Sequence, residues 1–118
     1  MTTLPDIKII IADDHEIFRD GLKLMLSRHP EIIIAGEAQN GKELIEIVDP
    51  LQPDVILTDI KMPVMDGIDG VKLVKQHYPN IKVVMQTAFD DDDKVFAAIQ
   101  AGAEGYILKN ASVLQLAQ

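Results

Sequence analysis

The chain has 118 residues, 47% hydrophobic and 25% charged, which suits one domain with a packed core and is too little for two ordinary ones. Its formal net charge of −8 argues against direct nucleic-acid binding or an anionic membrane surface, and favours cations or basic partner surfaces. The absence of cysteine excludes disulfides and thiolate chemistry, and no stretch has a signal-peptide pattern or membrane-spanning length, so a cytoplasmic location is expected.

The first apolar run, IKIIIA (7–12), is short and β-branched, as a strand buried on both faces is. It leads directly into Asp13 and Asp14. Phe18, Leu22, Met25 and Leu26 then recur at helical spacing within EIFRDGLKLMLSRH (16–29), before Pro30. A second run (31–38) ends in the uncharged Ala38 and Gln39, and the breaker pair Asn40 and Gly41 opens a helix carrying Leu44, Ile45 and Val48. After Pro53, DVILT (54–58) delivers Asp59 and the loop KMP, and GIDGVKLVKQH (67–77) predicts a third helix closed by Pro79. IKVVMQ (81–86) leads to Thr87 and Ala88, a fourth helix spans 93–101, and after Gly102 the run GYIL (105–108) leads to Lys109. SVLQLAQ begins a fifth helix that stops after about two turns, so the chain reads as one domain, 1–118, from a longer protein.

Five strand-then-helix repeats need crossover connections. They predict a doubly wound, flavodoxin-like α/β fold: a five-stranded parallel sheet in the order 2-1-3-4-5 with helices on both faces and the fifth helix truncated. In such sheets ligands bind outside the carboxyl ends of the strands. Four of the five strands deliver a carboxylate, hydroxyl or ammonium to that rim: Asp13 and Asp14, Asp59, Thr87, and Lys109. Three carboxylates on one dry rim need a counterion. Mg²⁺ would serve, whereas the DxDxDG loop of calcium sites is missing. A carboxylate beside a divalent cation, an ammonium and a hydroxyl is suited to accept a phosphoryl group, and Asp59 on the central strand is the candidate acceptor.

The segments IADDHEIFRDGL, DVILTDIKMPVMDG, QTAF and AGAEGYILK together resemble the receiver domain of two-component response regulators, over essentially the whole chain. The resemblance implies that a sensor histidine kinase passes a phosphoryl group to Asp59. It implies that Asp14, Asp59 and the backbone carbonyl of Lys61 bind Mg²⁺ directly, with Asp13 acting through water, and that Thr87 and Lys109 bond the phosphoryl oxygens. Thr87 and Tyr106 would be the switch residues that alter the face of the fourth helix, fifth strand and fifth helix. ADDHEIFRDGLKLML and ILKNAS are similar to the nitrate-regulator-type subgroup, which implies control of an attached C-terminal helix-turn-helix DNA-binding domain absent from this sequence, and allows a homodimer. Many receivers carry proline after the lysine, where this chain has Asn110; a cis bond there would be costly. By their place at the mouth of the site, Lys61 and Phe89 are expected to tune the phosphoryl lifetime.

Each residue also has a plainer reading. Asp13 and Asp14 could cap the first helix, Asp59 could be a solvated turn residue, Lys109 a surface lysine, and Thr87 and Tyr106 ordinary strand residues. The set as a whole favours the site. The run DDDDK (90–94) reads as a cap and dipole partner of the fourth helix. His15, His29 and His77 lack zinc-ligand spacing and read as surface histidines, with His15 near the site rim. Two other functions are consistent with the residues: an aspartyl phosphohydrolase, against which stands Lys61 where that class places a second aspartate, and a receiver-like interaction module that is never phosphorylated.

Overall fold

The computed structural model describes residues 6–87, 97 and 100–108. Five parallel strands, β1 (Ile7–Ala12), β2 (Ile32–Ala38), β3 (Val55–Asp59), β4 (Lys82–Thr87) and β5 (Gly105–Leu108), form one sheet in the order β2-β1-β3-β4-β5. The helices α1 (Glu16–Leu26), α2 (Gly41–Leu51) and α3 (Gly67–His77) cross over between them. The predicted fourth helix is described only at residues 97, 100 and 101, and the predicted fifth helix lies outside the described residues. No described helix is long and apolar enough to cross a membrane.

Strand alternation divides the core in two. Ile9 and Ile11 point to one face, where α1 covers them with Phe18, Leu22, Met25 and Leu26. Ile10 and Ala12 point to the other, where α2 and α3 supply Leu44, Val48, Val71 and Val74, with Ile56, Val83 and Met85 from the neighbouring strands. Ile10, Ile11, Leu22, Leu44 and Ile56 are fully buried, and each such side chain stabilises the fold by about 2 kcal/mol.

Local signals set the helix starts. The Asn40 side chain accepts the Glu43 N–H at 2.9 Å, while the Glu43 carboxylate accepts the Gln39 N–H at 2.8 Å, a variant of the reciprocal capping box. The Asp66 carboxylate accepts the Asp69 N–H at 2.9 Å and starts α3. Where these two helix starts meet, the backbones approach closely: a Cβ on Gly41 would stand 2.8 Å from the Met65 and Asp66 carbonyl oxygens, and the Gly41 N–H donates to the Met65 carbonyl at 2.7 Å.

Between β3 and α3 the chain carries one strained residue. Val64 has φ +68° and is 81% exposed. A left-handed backbone costs an ordinary residue about 1–2 kcal/mol, whereas asparagine tolerates it. Because the exposed valine contributes little packing, Val64→Asn is expected to stabilise the protein by about 1 kcal/mol, read as a higher urea midpoint at unchanged slope.

Candidate functional site

The sheet order brings three carboxylates together. β1 lies beside β3, with Ala12 opposite Thr58, so the residues just past Ala12 emerge next to Asp59 at the carboxyl rim. Asp13 follows β1 and keeps its N–H on the Ala38 carbonyl of β2 at 2.9 Å; its side chain is wholly buried. Asp14 is the outer member, its side chain one-third exposed, and Asp59 ends β3 almost fully buried. One donor atom from each of Asp13, Asp14, His15 and Asp59 falls within 4.8 Å of the others.

Backbone N–H groups hold Asp59 and Asp13. The Ile60 N–H donates to Asp59 Oδ1 at 2.8 Å and fixes the rotation of that group. The Ile60 carbonyl in turn accepts the Gly67 N–H at 2.8 Å, so the start of α3 supports the floor of the site. Asp13 Oδ1 accepts the His15 N–H at 2.8 Å. Neither aspartate is the helix cap of the plainer reading: the N-cap of α1 is His15, whose side chain makes no cap bond.

Behind Asp13 stands a buried cation. Arg19, only 8% exposed, donates to the Asp13 carbonyl and, at 3.0 Å, to the Glu37 carboxylate of β2, which also receives Lys23 at 2.9 Å. The Lys23 ammonium holds the Glu37 carboxyl below its ordinary range; desolvation opposes this and Arg19 reinforces it. Arg19 thus ties the end of β1 to β2 from the first helix.

Two ionised carboxylates about 4 Å apart repel by about 4 kcal/mol at an effective dielectric near 20. A cation relieves that repulsion, and the donor set suits a hard one. Opposite donors on an octahedral ion with bonds of about 2.1 Å stand about 4.2 Å apart, so a small contraction of this cluster would enclose Mg²⁺ with carboxylate oxygens.

The expected site residues fare differently. Asp13, Asp14 and Asp59 converge. Lys61 lies two residues past Asp59 in the loop to α3, with an exposed side chain. Thr87 ends β4, the strand beside β3, one residue past the Asp59–Gln86 pairing, and Tyr106 lies on the edge strand β5, opposite Met85; only their backbones are described. Lys109, Phe89, Asn110 and the run 90–94 lie outside the described residues. Two residues beside the carboxylates carry more than their sequence suggests. His15 turns its ring nitrogen onto the carboxylates, and Arg19 is singled out by no motif; a lone cation on the apolar stripe of α1 is its one signal.

Comparison with known proteins agrees with this geometry. The response regulator receiver domain model matches residues 9–118. The response regulator protein VraR of Staphylococcus saprophyticus is 42% identical over 112 residues, which is 95% of this chain and 54% of that protein. The transcriptional regulatory protein LnrK of Bacillus subtilis is 43% identical over 106 residues, 90% of this chain and 48% of that protein. The chain therefore spans about half the length of these relatives. The signal receiver domain of the response regulator NarL from Mycobacterium tuberculosis superposes with a TM-score of 0.89 at 31% identity, over 97% of this chain and 92% of that one. A match of this extent, on a parallel sheet with clustered aspartates at its carboxyl rim, shows that the chain belongs to the response regulator receiver domain family.

Proposed function

We propose that Asp59 is the residue on which this receiver is switched, accepting a phosphoryl group from the phosphohistidine of a sensor histidine kinase. The N–P bond of the donor breaks, an O–P bond to the Asp59 carboxylate forms, and the donor imidazole leaves with the bonding pair. The observation that carries this reading is the convergence of Asp13, Asp14 and Asp59 within 4.8 Å at the end of the central strands. The Ile60 N–H on Oδ1 holds the nucleophile in one orientation, and burial removes competing water. Asp14 and Asp59, with the Lys61 carbonyl, would hold Mg²⁺ directly, and Asp13 would act through water. When bound, the ion would neutralise charge on the transferring oxygens.

Thr87 and Lys109 are the proposed partners of the phosphoryl oxygens, and Thr87 and Tyr106 the residues that pass the change to the face of the fourth helix, fifth strand and fifth helix. The named relatives are about twice as long as this chain and include a transcriptional regulatory protein. We read residues 1–118 as the receiver part of a longer regulator, working in the cytoplasm and controlling an attached DNA-binding domain.

Incubation with acetyl phosphate and Mg²⁺, followed by intact-mass measurement, tests the reading. One phosphoryl adduct is expected with Mg²⁺ and none with excess EDTA. An adduct that forms equally well in EDTA, or none in either condition, would overturn it.

A further inference from the structure

The reading of the carboxylates as a cation site leaves out the fourth member of the cluster. His15 is the N-cap of α1, with φ −102° and ψ 102°, and its side chain leaves the helix amides alone. The ring folds back instead. Its Nδ1 stands 2.9 Å from Asp13 Oδ1, 3.2 Å from Asp14 Oδ1 and 3.9 Å from Asp59 Oδ2. On an octahedral ion with bonds of about 2.1 Å, adjacent donors stand about 3.0 Å apart and opposite donors about 4.2 Å. The separation from Asp14 matches adjacent positions and that from Asp59 lies just inside the opposite one, while Asp13, which acts through water, would hold the ring from outside the coordination sphere. The 2.9 Å and 3.2 Å separations from Asp13 and Asp14 are also distances at which an imidazole N–H binds carboxylates, so one placement serves both forms of the site: a proton on Nδ1 without the ion, or a lone pair on Nδ1, with the proton on Nε2, toward it.

We propose that His15 contributes Nδ1 as a fourth protein donor to this site and biases it toward divalent ions that accept imidazole, such as Co²⁺, relative to Mg²⁺. The proposal rests on the cation-site reading above. Mg²⁺ takes oxygen and keeps its waters, and gains nothing from a ring nitrogen. First-row transition ions bind nitrogen donors more tightly along the series from Mn²⁺ to Cu²⁺. The side chain is 63% exposed, so the ring can turn outward when Mg²⁺ takes the carboxylates. His15 would thereby set which cation the site selects, without altering the carboxylates.

Co²⁺ is the probe, because a coordinated imidazole shows strongly shifted ring-proton resonances in the NMR spectrum. The Co²⁺-loaded parent is expected to show one shifted, solvent-exchangeable imidazole N–H, from Nε2, that is absent in His15→Ala. His29→Ala and His77→Ala are expected to keep it. In titrations, His15→Ala should weaken Co²⁺ binding by about tenfold or more, while the Mg²⁺ concentration needed for half-saturation stays the same. Co²⁺ binding that Mg²⁺ displaces, without a shifted imidazole, would overturn the role of His15 and leave the carboxylate site intact. Equal weakening of Co²⁺ and Mg²⁺ in His15→Ala would also overturn it, since a residue that merely holds Asp13 in place would act on both ions. No binding of either ion would remove both readings together.

Discussion

Asp59→Ala, treated with acetyl phosphate and Mg²⁺, is expected to give no phosphoryl adduct by intact mass while retaining the folded circular-dichroism spectrum of the parent. The substitution removes the proposed nucleophile, so the loss should be complete. Asp13→Asn keeps the size of its side chain and should slow adduct formation without abolishing it, because Asp14 and Asp59 remain. The contrast matters: if the adduct on Asp59→Ala matched the parent's, a neighbouring carboxylate would be the acceptor and the assignment would fall.

The second large effect concerns stability at the same site. A Cβ on Gly67 would lie 2.0 Å from the Asp59 carbonyl oxygen and 2.9 Å from the Met85 Cε. The methionine end can swing aside, but the carbonyl belongs to the strand that carries the proposed acceptor. Gly67→Ala must therefore push α3 off the sheet or displace Asp59. Overpacking of this kind costs about 1–3 kcal/mol, and the backbone contact places Gly67→Ala at the upper end. Urea unfolding should show a loss of about 3 kcal/mol, and whatever remains folded should phosphorylate more slowly. Gly21→Ala is the matched comparison. A Cβ there meets nothing within 4 Å inside α1, so alanine should stabilise by about 1 kcal/mol through helix propensity. If Gly67→Ala behaved like Gly21→Ala, the close approach of α3 to Asp59 would be wrong.

Much of this architecture is legible in the residues. The β-branched runs place β1, β3 and β5 to within a residue, and the helical spacing of 67–77 coincides with α3, because burial on both faces leaves few alternatives for these segments. Helix ends are less legible. The apolar spacing that marks α2 thins after Val48, yet the helix runs to Leu51 with Pro50 in its last turn, and it closes on Gln52 in a left-handed conformation that composition does not announce. α1 stops at Leu26, within the helically spaced stretch 16–29, where the Arg28 and His29 N–H groups turn to the Met25 and Leu26 carbonyls three residues back and the Ser27 hydroxyl to the Leu24 carbonyl.

The site divides in the same way. Asp13, Asp14 and Asp59 could be read together because strand order alone puts their strand ends side by side. His15 could not be assigned from spacing, since its role depends on the ring folding back rather than outward, a rotamer choice. Arg19 depends on a reach across to β2 that no local pattern encodes.

The contact between the starts of α2 and α3 has a consequence for motion. With the Gly41 amide fixed to the Met65 carbonyl, and no room for a Cβ on Gly41 beside the Met65 and Asp66 carbonyl oxygens, the start of α2 cannot move toward α3 without driving backbone into backbone. α2 and α3 therefore behave as one rigid plate on their face of the sheet.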